Sequence, residues 1–424
     1  MRSFPSASAL KSVAAIFFLI LGCANRIVLA GNVADVPREL SVESAVAMAI
    51  RENKELSTAR LLLNEALGRG RRAGVLSNPE LEMEVAGGKD FEGRVMTGIT
   101  QRFPLTARLR LERQLSELDV KMADLEVRVA EWKLILAVRR AFYAAAAAQE
   151  AQAISLRQAN QADDLVKSVA EGVNAGFRSE LDLLEANLSA SAMRAKSETF
   201  KGAEIEATGR LNELLALPAD APLIISNPLT LPESVPAAKT AGRRVDWDLA
   251  ELALRSGETD VAIARASRWE DIGVGVFIEG ERFRDNPTGI EPETLAGLKV
   301  SVPLPFWQTG TGKAAEKEAV RARLSAQCEA LRFSIKNQIL LTHRLVCFHF
   351  ESASRFSEKV VSSAREYLRQ SEAAYGRSEI EIHAVFKAYD RLSEVEMSAL
   401  DARKSYFLAY AEWLSALGTS PTHP

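Results

Sequence analysis

The run from Ala107 to Glu171 contains neither proline nor glycine, and it constrains the fold more than any other feature. It consists largely of Ala, Leu, Glu, Gln, Arg and Lys, the residues that lose least free energy in a helix. At 1.5 Å per residue, these roughly 65 residues would form a helix of about 100 Å. The mean globular helix has only about 11–12 residues. The sequence therefore predicts a rod rather than part of an ordinary globular core.

A turn and a second long helix are predicted to follow this rod. The segment Asn174–Gly176 is a helix-stop signal. Ser179–Asp182 then supplies an N-cap followed by acidic residues in a first helical turn. The second helix is expected to run to Leu217, so that residues 106–217 form a hairpin of two rods.

The N-terminus carries an export signal. An apolar run at Ser12–Gly22 is too short to span a bilayer and is typical of a signal-peptide core. Two processing sites fit: ordinary cleavage after Ala30, giving a signal peptide of residues 1–30, or a lipoprotein signal ending at 22 with lipidation of Cys23. Both alternatives place the mature protein outside the cytoplasm.

Several other functions find no support in the sequence. The formal net charge of −3 gives no electrostatic reason to expect nucleic acid as a partner. No grouping of nucleophile and base indicates an enzyme or a cofactor. His343 and Cys347 share a helix face, but His349 is six residues from His343 and points elsewhere, so three metal ligands cannot converge there. We therefore expect ordinary helix packing and no metal site at these residues.

The two-residue period of a β-strand appears where Leu81, Met83 and Val85 alternate with Glu82 and Glu84. The same order of helix, strand pair and long hairpin then recurs in the second half of the chain. The predicted division is a first repeat at 40–217 with strands in 78–103 and a hairpin at 106–217, a linker at 218–245, and a second repeat at 246–418 with strands in 271–303 and a hairpin at 312–417. The rod from Gly312 to Tyr375 is expected to be continuous.

Four strands of this kind suit a transmembrane β-barrel but cannot close one. An open sheet edge is not tolerated in lipid. Three copies of the chain would supply twelve strands, an even number within the bacterial range. We therefore predict an internally duplicated α+β membrane protein in which each chain contributes four transmembrane β-strands to a shared trimeric 12-stranded β-barrel.

Several short segments carry recognisable motifs: Ser41–Val46, Asn53–Leu56, Ser77–Leu81, Ala175–Leu184 and Val302–Pro305. Together with the internal duplication, they resemble the outer membrane efflux protein family, the TolC-like proteins, from Leu40 to Gly418. The Asn-Pro-Glu-Leu segment followed by an acidic strand is similar to the cation-efflux, CzcC/CusC-like branch.

This resemblance implies a homotrimeric exit duct in the outer membrane, with its helical hairpins forming an α-barrel in the periplasm. The implied partners are a periplasmic adaptor (membrane fusion) protein and an inner-membrane pump of the resistance-nodulation-division type. Heavy-metal cations are the expected cargo. The alternatives are a duct for drugs or secreted protein, or a periplasmic coiled-coil adaptor or scaffold without a barrel.

A duct needs a gate, and the ends of the hairpins offer charged residues for one. Acidic rings favour cations, although acidic residues in a first helical turn also simply complement the helix dipole. The sequences Arg178–Asp182 and Arg377–Glu381 are similar and lie 199 residues apart, which suggests that they correspond. The gate candidates are Asp182, Glu381, Glu180 and Glu379, and the candidates for the turns and the adaptor contact are Gly176, Arg178, Gly376 and Arg377.

Overall fold

The computed structural model describes residues 39–87, 93–226, 229–237, 242–285, 289–306, 310–356 and 358–418. The predicted signal peptide, with Cys23 and Ala30, lies outside the described residues.

The first half of the chain places two short helices and a strand pair before a long helical hairpin. Helix α1 begins after Ser41, whose hydroxyl accepts a hydrogen bond from the Ser44 N–H at 3.2 Å. Helix α2 begins after Asn53, whose Oδ1 accepts from the Leu56 N–H at 3.0 Å. The elements are α1 (Val42–Glu52), α2 (Lys54–Gly70), β1 (Glu80–Gly87), β2 (Gly93–Phe103), α3 (Arg108–Asn174) and α4 (Glu180–Leu214).

The second half repeats this order with one long element divided. Its elements are α5 (Val245–Ala266), β3 (Ile272–Asp285), β4 (Gly289–Ser301), α6 (Thr311–Arg355), α7 (Glu358–Gly376) and α8 (Ile382–Ala416). Helices α3 and α4 pack as one hairpin, and α8 packs against α6 and then α7 as the other.

The rod predicted from Gly312 to Tyr375 is not continuous, and this prediction was wrong. Helix α6 ends at Arg355, and Phe356 leaves the helical conformation with φ −81° and ψ 50°. Just before the break, the Ser354 hydroxyl donates to the Phe350 carbonyl at 2.8 Å. Serine bonds of this kind compete with the backbone ladder and bend helices. A break can therefore arise without proline or glycine.

The four strands form one antiparallel sheet in the order β1-β2-β3-β4. Strand β2 of the first repeat pairs with β3 of the second, so that Phe103 lies opposite Ile272. Within the described residues, β1 and β4 each have a partner on one side only, which leaves both outer edges of the sheet unpaired.

The buried core lies along the helices rather than against the sheet. One cluster surrounds the middle of α3 and the end of α8, including Phe142, Tyr406 and Trp413. A second cluster lies near the far ends of the hairpins and includes Val169, Ile382 and Tyr389. Alanine is common in α3 where helices approach closely, which permits tight packing of long rods.

In the described parts of the chain, no helix combines the length and the apolar character needed to cross a membrane.

The two hairpins repeat at an offset of 202 residues, which corrects the offset of 199 inferred from sequence. The left-handed residue of the first turn is Gly176, and that of the second is Ser378. The N-caps of the returning helices are Ser179 and Glu381. The similar Arg-Ser-Glu sequences therefore do not occupy corresponding positions, because α7 continues to Gly376 before its turn begins.

Candidate functional site

One face of the sheet is apolar and exposed to the surroundings. Leu81, Ile99, Val276 and Leu298 lie side by side across the four strands, since each is the direct partner of the next. Each of them is more than half exposed. An exposed apolar band of this kind is what the lipid-facing side of a membrane barrel requires.

The opposite face carries charged side chains that pair across strands. Arg94 contacts Glu84 at 2.7 Å and Glu279 at 3.2 Å, and so connects β1, β2 and β3. Glu82 on β1 forms an ion pair with Lys299 on β4. Glu82 and Glu84, predicted on the polar side of β1, thus share this face with Glu279 of β3.

The ion pair between Glu82 and Lys299 also fixes the curvature of the sheet. These residues lie on the two outer strands, which would stand about 14 Å apart in a flat sheet. Their contact requires the sheet to curl with its charged face on the concave side. The interior of the curl is therefore polar and the exterior apolar.

An aromatic side chain projects from this concave face between two glycines. Phe277 is paired with Gly98 on one side and Gly297 on the other. A Cβ atom added to Gly297 would lie 2.5 Å from Cζ of Phe277, so the ring lies over that glycine. The sequence pattern did not single out Phe277, because its position depends on the register between strands of the two repeats.

A polar cleft of about 520 Å³ lies where the sheet meets the helices. Arg108, at the start of α3, donates to both carboxylate oxygens of Asp271 at 2.8 and 2.6 Å. Both bonds come from Nη2 of Arg108, and this charge-assisted pair joins the first rod to the start of β3. Lys299 and Glu82 also line the cleft, which continues the charged face of the sheet.

At the other end of the molecule, the turn of the first hairpin reaches the second hairpin through Arg178. Its guanidinium donates to the Tyr375 carbonyl at 2.5 Å, and its Cζ lies 4.0 Å from the centroid of the Tyr375 ring. Gly172 makes room for this, since a Cβ there would lie 2.6 Å from Cγ of Arg178. A single side chain thus connects the end of α7 to the turn between α3 and α4.

Tyr375 is 6% exposed, and its hydroxyl has no hydrogen-bond partner among the described residues. Burial raises the pKa of this phenol; nearby Arg178 lowers it and Asp182 raises it further. A cleft of about 370 Å³ beside Tyr375 is also lined by Arg178, Glu372 and Tyr389. The Tyr389 hydroxyl donates to Glu372 at 2.6 Å, which orders the opposite wall of the cleft.

The four predicted gate carboxylates differ in their surroundings. Glu379 pairs with Arg377 of its own turn at 2.6 Å, and both are largely exposed. Glu180 and Glu381 are exposed, whereas Asp182 is half-buried. Within the described residues, no ion pair involves Glu180, Asp182 or Glu381.

The correspondence predicted between Asp182 and Glu381 was wrong. At the observed offset, Asp182 corresponds to Ala384, and Glu381 corresponds to the N-cap Ser179. The two carboxylates therefore occupy positions one helical turn apart. The two repeats therefore do not place Asp182 and Glu381 at one level, as a single ring of six carboxylates in a trimer would require.

The predicted roles of the two turn glycines also differ. Gly176 has φ 78°, a left-handed conformation that glycine adopts at little cost. Gly376 is instead the last residue of α7, and the left-handed position of the second turn falls to Ser378 with φ 61°. The prediction that Gly376 permits the turn was wrong.

A buried carboxylate ties three helices together between the hairpin ends and the main core. Glu396 on α8 is 5% exposed. It accepts from Arg365 of α7 at 2.7 Å and from the Gln158 amide of α3 at 3.0 Å, and Arg157 lies 3.8 Å away. Sequence inspection did not identify Glu396, because an isolated glutamate in a long charged helix gives no signal of its burial.

A curved sheet with an apolar exterior and a charged interior, joined to two very long helical hairpins, is the architecture of outer-membrane efflux channels. Residues 45–217 match the model of the family described as outer membrane efflux protein. The chain is 26% identical over 414 residues to the cobalt-zinc-cadmium resistance protein CzcC of Cupriavidus metallidurans, an alignment covering 90% of this chain and 88% of that protein.

Solved channels share the fold. The chain matches a structure of CusC with a TM-score of 0.72 at 16% identity, covering 90% of this chain and 93% of the other. For VceC of Vibrio cholerae the TM-score is 0.69 at 16% identity, covering 89% and 96%. For MtrE of Neisseria gonorrhoeae it is 0.69 at 17% identity, covering 90% and 89%. The first repeat of the chain thus matches the outer membrane efflux protein family, and the fold as a whole resembles these solved outer-membrane channels.

Proposed function

We propose that this chain is the outer-membrane channel of a tripartite efflux system and serves as a passive exit duct for heavy-metal cations. The observation that carries the proposal is the sheet, whose convex face is apolar and whose concave face holds Glu82, Lys299 and Arg94. Such a surface separates lipid from an aqueous passage. The similarity to a cobalt-zinc-cadmium resistance protein supports cations as the cargo.

The two unpaired edges of the sheet support assembly as a homotrimer. Backbone groups exposed along β1 and β4 need partners in the membrane. Three copies would pair β4 of one chain with β1 of the next and close a barrel of twelve strands. The chain would then reside in the cell outer membrane, in contact with its lipid, with the hairpins extending into the periplasm.

A duct of this kind supplies no energy, so the proposal includes two further partners. A periplasmic adaptor protein would contact the hairpin ends, near Gly176, Arg178, Gly376 and Arg377. An inner-membrane pump, of the resistance-nodulation-division type, would drive the cations into the duct.

The hairpin ends would form the gate of the duct. Asp182 is half-buried near the link between Arg178 and Tyr375, and Glu180, Glu379 and Glu381 are exposed on the two turns. Carboxylates at a constriction attract cations and can be bridged by them. In this arrangement Asp182 has the strongest influence on the passage, since it lies nearest the link.

The experiment is deletion of the gene in its host, followed by growth and retained-metal measurements across cobalt, zinc, cadmium, detergents and antibiotics. We expect sensitivity and retention selective for a few metals, restored by the intact gene and not by an empty vector. Broad drug sensitivity with normal metal content would contradict heavy-metal cations as the cargo but would agree with an efflux channel. Unchanged growth on every compound would overturn the efflux function.

A further inference from the structure

A thiol and an imidazole face each other on α6, outside the sheet and the hairpin ends. Cys347 Sγ lies 3.9 Å from Nδ1 of His343, one helical turn earlier. Both side chains are half-buried. In the described parts of the chain, no three side chains of His, Cys, Asp and Glu converge to hold an ion, so this pair would act with two protein ligands.

The other nitrogen of the imidazole fixes which atom faces the sulfur. His343 Nε2 lies 3.4 Å from the Pro236 carbonyl, which only accepts hydrogen bonds. The Nε2 atom therefore carries a proton, and in the neutral ring Nδ1 presents its lone pair toward Cys347. Histidines that bind a metal through one ring nitrogen usually donate the N–H of the other to a carboxylate, a backbone carbonyl or a water molecule.

The sequence alone predicts only helix packing for Cys347 and His343. On the contact between their side chains, we propose instead that they form a two-ligand binding site for a soft, thiophilic cation. Metal–sulfur and metal–nitrogen bonds of about 2.3 and 2.0 Å span about 3.5 Å at a tetrahedral angle and about 4.3 Å in a linear arrangement. The observed Sγ to Nδ1 separation of 3.9 Å lies between these two values. On binding, the cation replaces the thiol proton, which is released to solvent, and forms one bond to sulfur and one to Nδ1. Thiolate and imidazole together favour soft cations over Mg²⁺ or Ca²⁺.

The surroundings shield one side of this site and leave the other reachable. The Trp413 ring is 1% exposed and lies 5.4 Å from the imidazole, between centroids. Cys328, by contrast, is buried and its thiol donates to the Ala250 carbonyl at 3.3 Å. Burial also raises the pKa of Cys328 and makes it a poor ligand. The chain thus contains its own control thiol.

Titration of the purified, reduced, detergent-solubilised protein with Cd²⁺ tests the site, followed by the ultraviolet charge-transfer band of the cadmium–thiolate bond. We expect one Cd²⁺ per chain. Cys347→Ser should abolish the band. Loss of a residue that merely orients a metal ligand weakens binding roughly 10- to 100-fold. His343→Gln removes a ligand itself, so we expect binding to weaken by at least that factor. Glutamine keeps a donor for the Pro236 carbonyl, which limits the structural damage. Cys328→Ser and His349→Ala are the matched controls and should bind as the unmodified chain does.

Three outcomes would overturn the site. They are the absence of a band in the unmodified chain, Cd²⁺ binding by His343→Gln that is as tight as in the unmodified chain, and a band that is lost in Cys328→Ser but kept in Cys347→Ser. Equal elution volume on gel filtration would establish that each variant keeps its assembly. Should His343→Gln fail this check, His343→Asn under the same titration would replace it. The result is independent of the proposed cargo, since equilibrium binding is measured without transport.

Discussion

Arg178 and Tyr375 join the ends of the two hairpins, with the guanidinium carbon 4.0 Å from the ring centroid. The same guanidinium donates to the carbonyl of Tyr375, so one side chain contacts both the ring and the backbone. Cation–π contacts contribute about 0.5–2 kcal/mol. A hydrogen bond from a charged donor adds about 1.5–3 kcal/mol. Together these make Arg178 a polar link between the hairpin ends.

Replacing Arg178 should therefore loosen the end of the duct. We expect Arg178→Met to favour the open form by about 2 kcal/mol, roughly a 30-fold change in the equilibrium between closed and open. Single-channel recordings of the purified assembly in a planar bilayer would show this as higher conductance or open probability.

Arg377→Met is the matched control for that experiment. Arg377 is 62% exposed in its side chain and pairs with Glu379 in the same turn, so its loss frees no contact between hairpins. Such exposed pairs contribute little to stability. Equal effects of the two substitutions would contradict the assigned role of Arg178.

The two turn glycines should respond oppositely to alanine. Gly176→Ala forces a left-handed alanine at a cost of about 1 kcal/mol or more. Gly376→Ala should be neutral or stabilising, since Gly376 ends a helix and an added Cβ meets no atom within 4 Å. Trypsin cleavage at Arg178 and Arg377 measures local opening of each turn. We expect about fivefold faster cleavage in Gly176→Ala and no acceleration in Gly376→Ala.

Glu396 should matter more for stability than its exposed neighbour. Glu396→Ala removes the bonds from Arg365 and Gln158 and leaves the buried Gln158 amide unpaired, at a cost of about 1–3 kcal/mol. Glu394→Ala is the control, because that side chain is 66% exposed and, in the described part of the chain, its ion pair is with Arg391. Thermal unfolding of both variants would check this. A control as destabilised as Glu396→Ala would refute the argument.

The gate carboxylates should be unequal. Asp182→Ala with Glu381→Ala is expected to raise conductance or reduce preference for cations. Because Asp182 is half-buried and Glu381 is exposed one helical turn away in the repeat, Asp182→Ala alone should produce most of the change. Reversal potentials measured in a salt gradient would show the loss of selectivity. Unchanged recordings for the double variant would rule out the gate.

The sequence predicted the elements well where one local signal dominates. The breaker-free run from Ala107 gave α3, and the alternation of Leu81, Met83 and Val85 gave β1. The prediction of a continuous rod failed because no local sequence signal marks the break. No proline or glycine marks the end of α6 at Arg355, after which Phe356 leaves the helical conformation.

The site was less predictable because its contacts join distant parts of the chain. Arg178 and Tyr375 are 197 positions apart, and Glu82 and Lys299 are 217 apart. Such contacts depend on strand register and on the offset between the repeats. The similar residues after Arg178 and Arg377 indicated the wrong offset between the repeats, since similar sequences at two positions do not show where the backbone turns.

The unpaired edges of β1 and β4 have a genetic consequence. If every copy needs a neighbour on both sides, a chain that folds and docks but carries a damaged β4 edge would enter a ring and leave it open. If such a chain is expressed together with the intact one, most barrels would contain at least one damaged copy and stay open, because few would assemble from intact copies alone. Damage to this edge would therefore be dominant, whereas loss of the whole chain would be recessive.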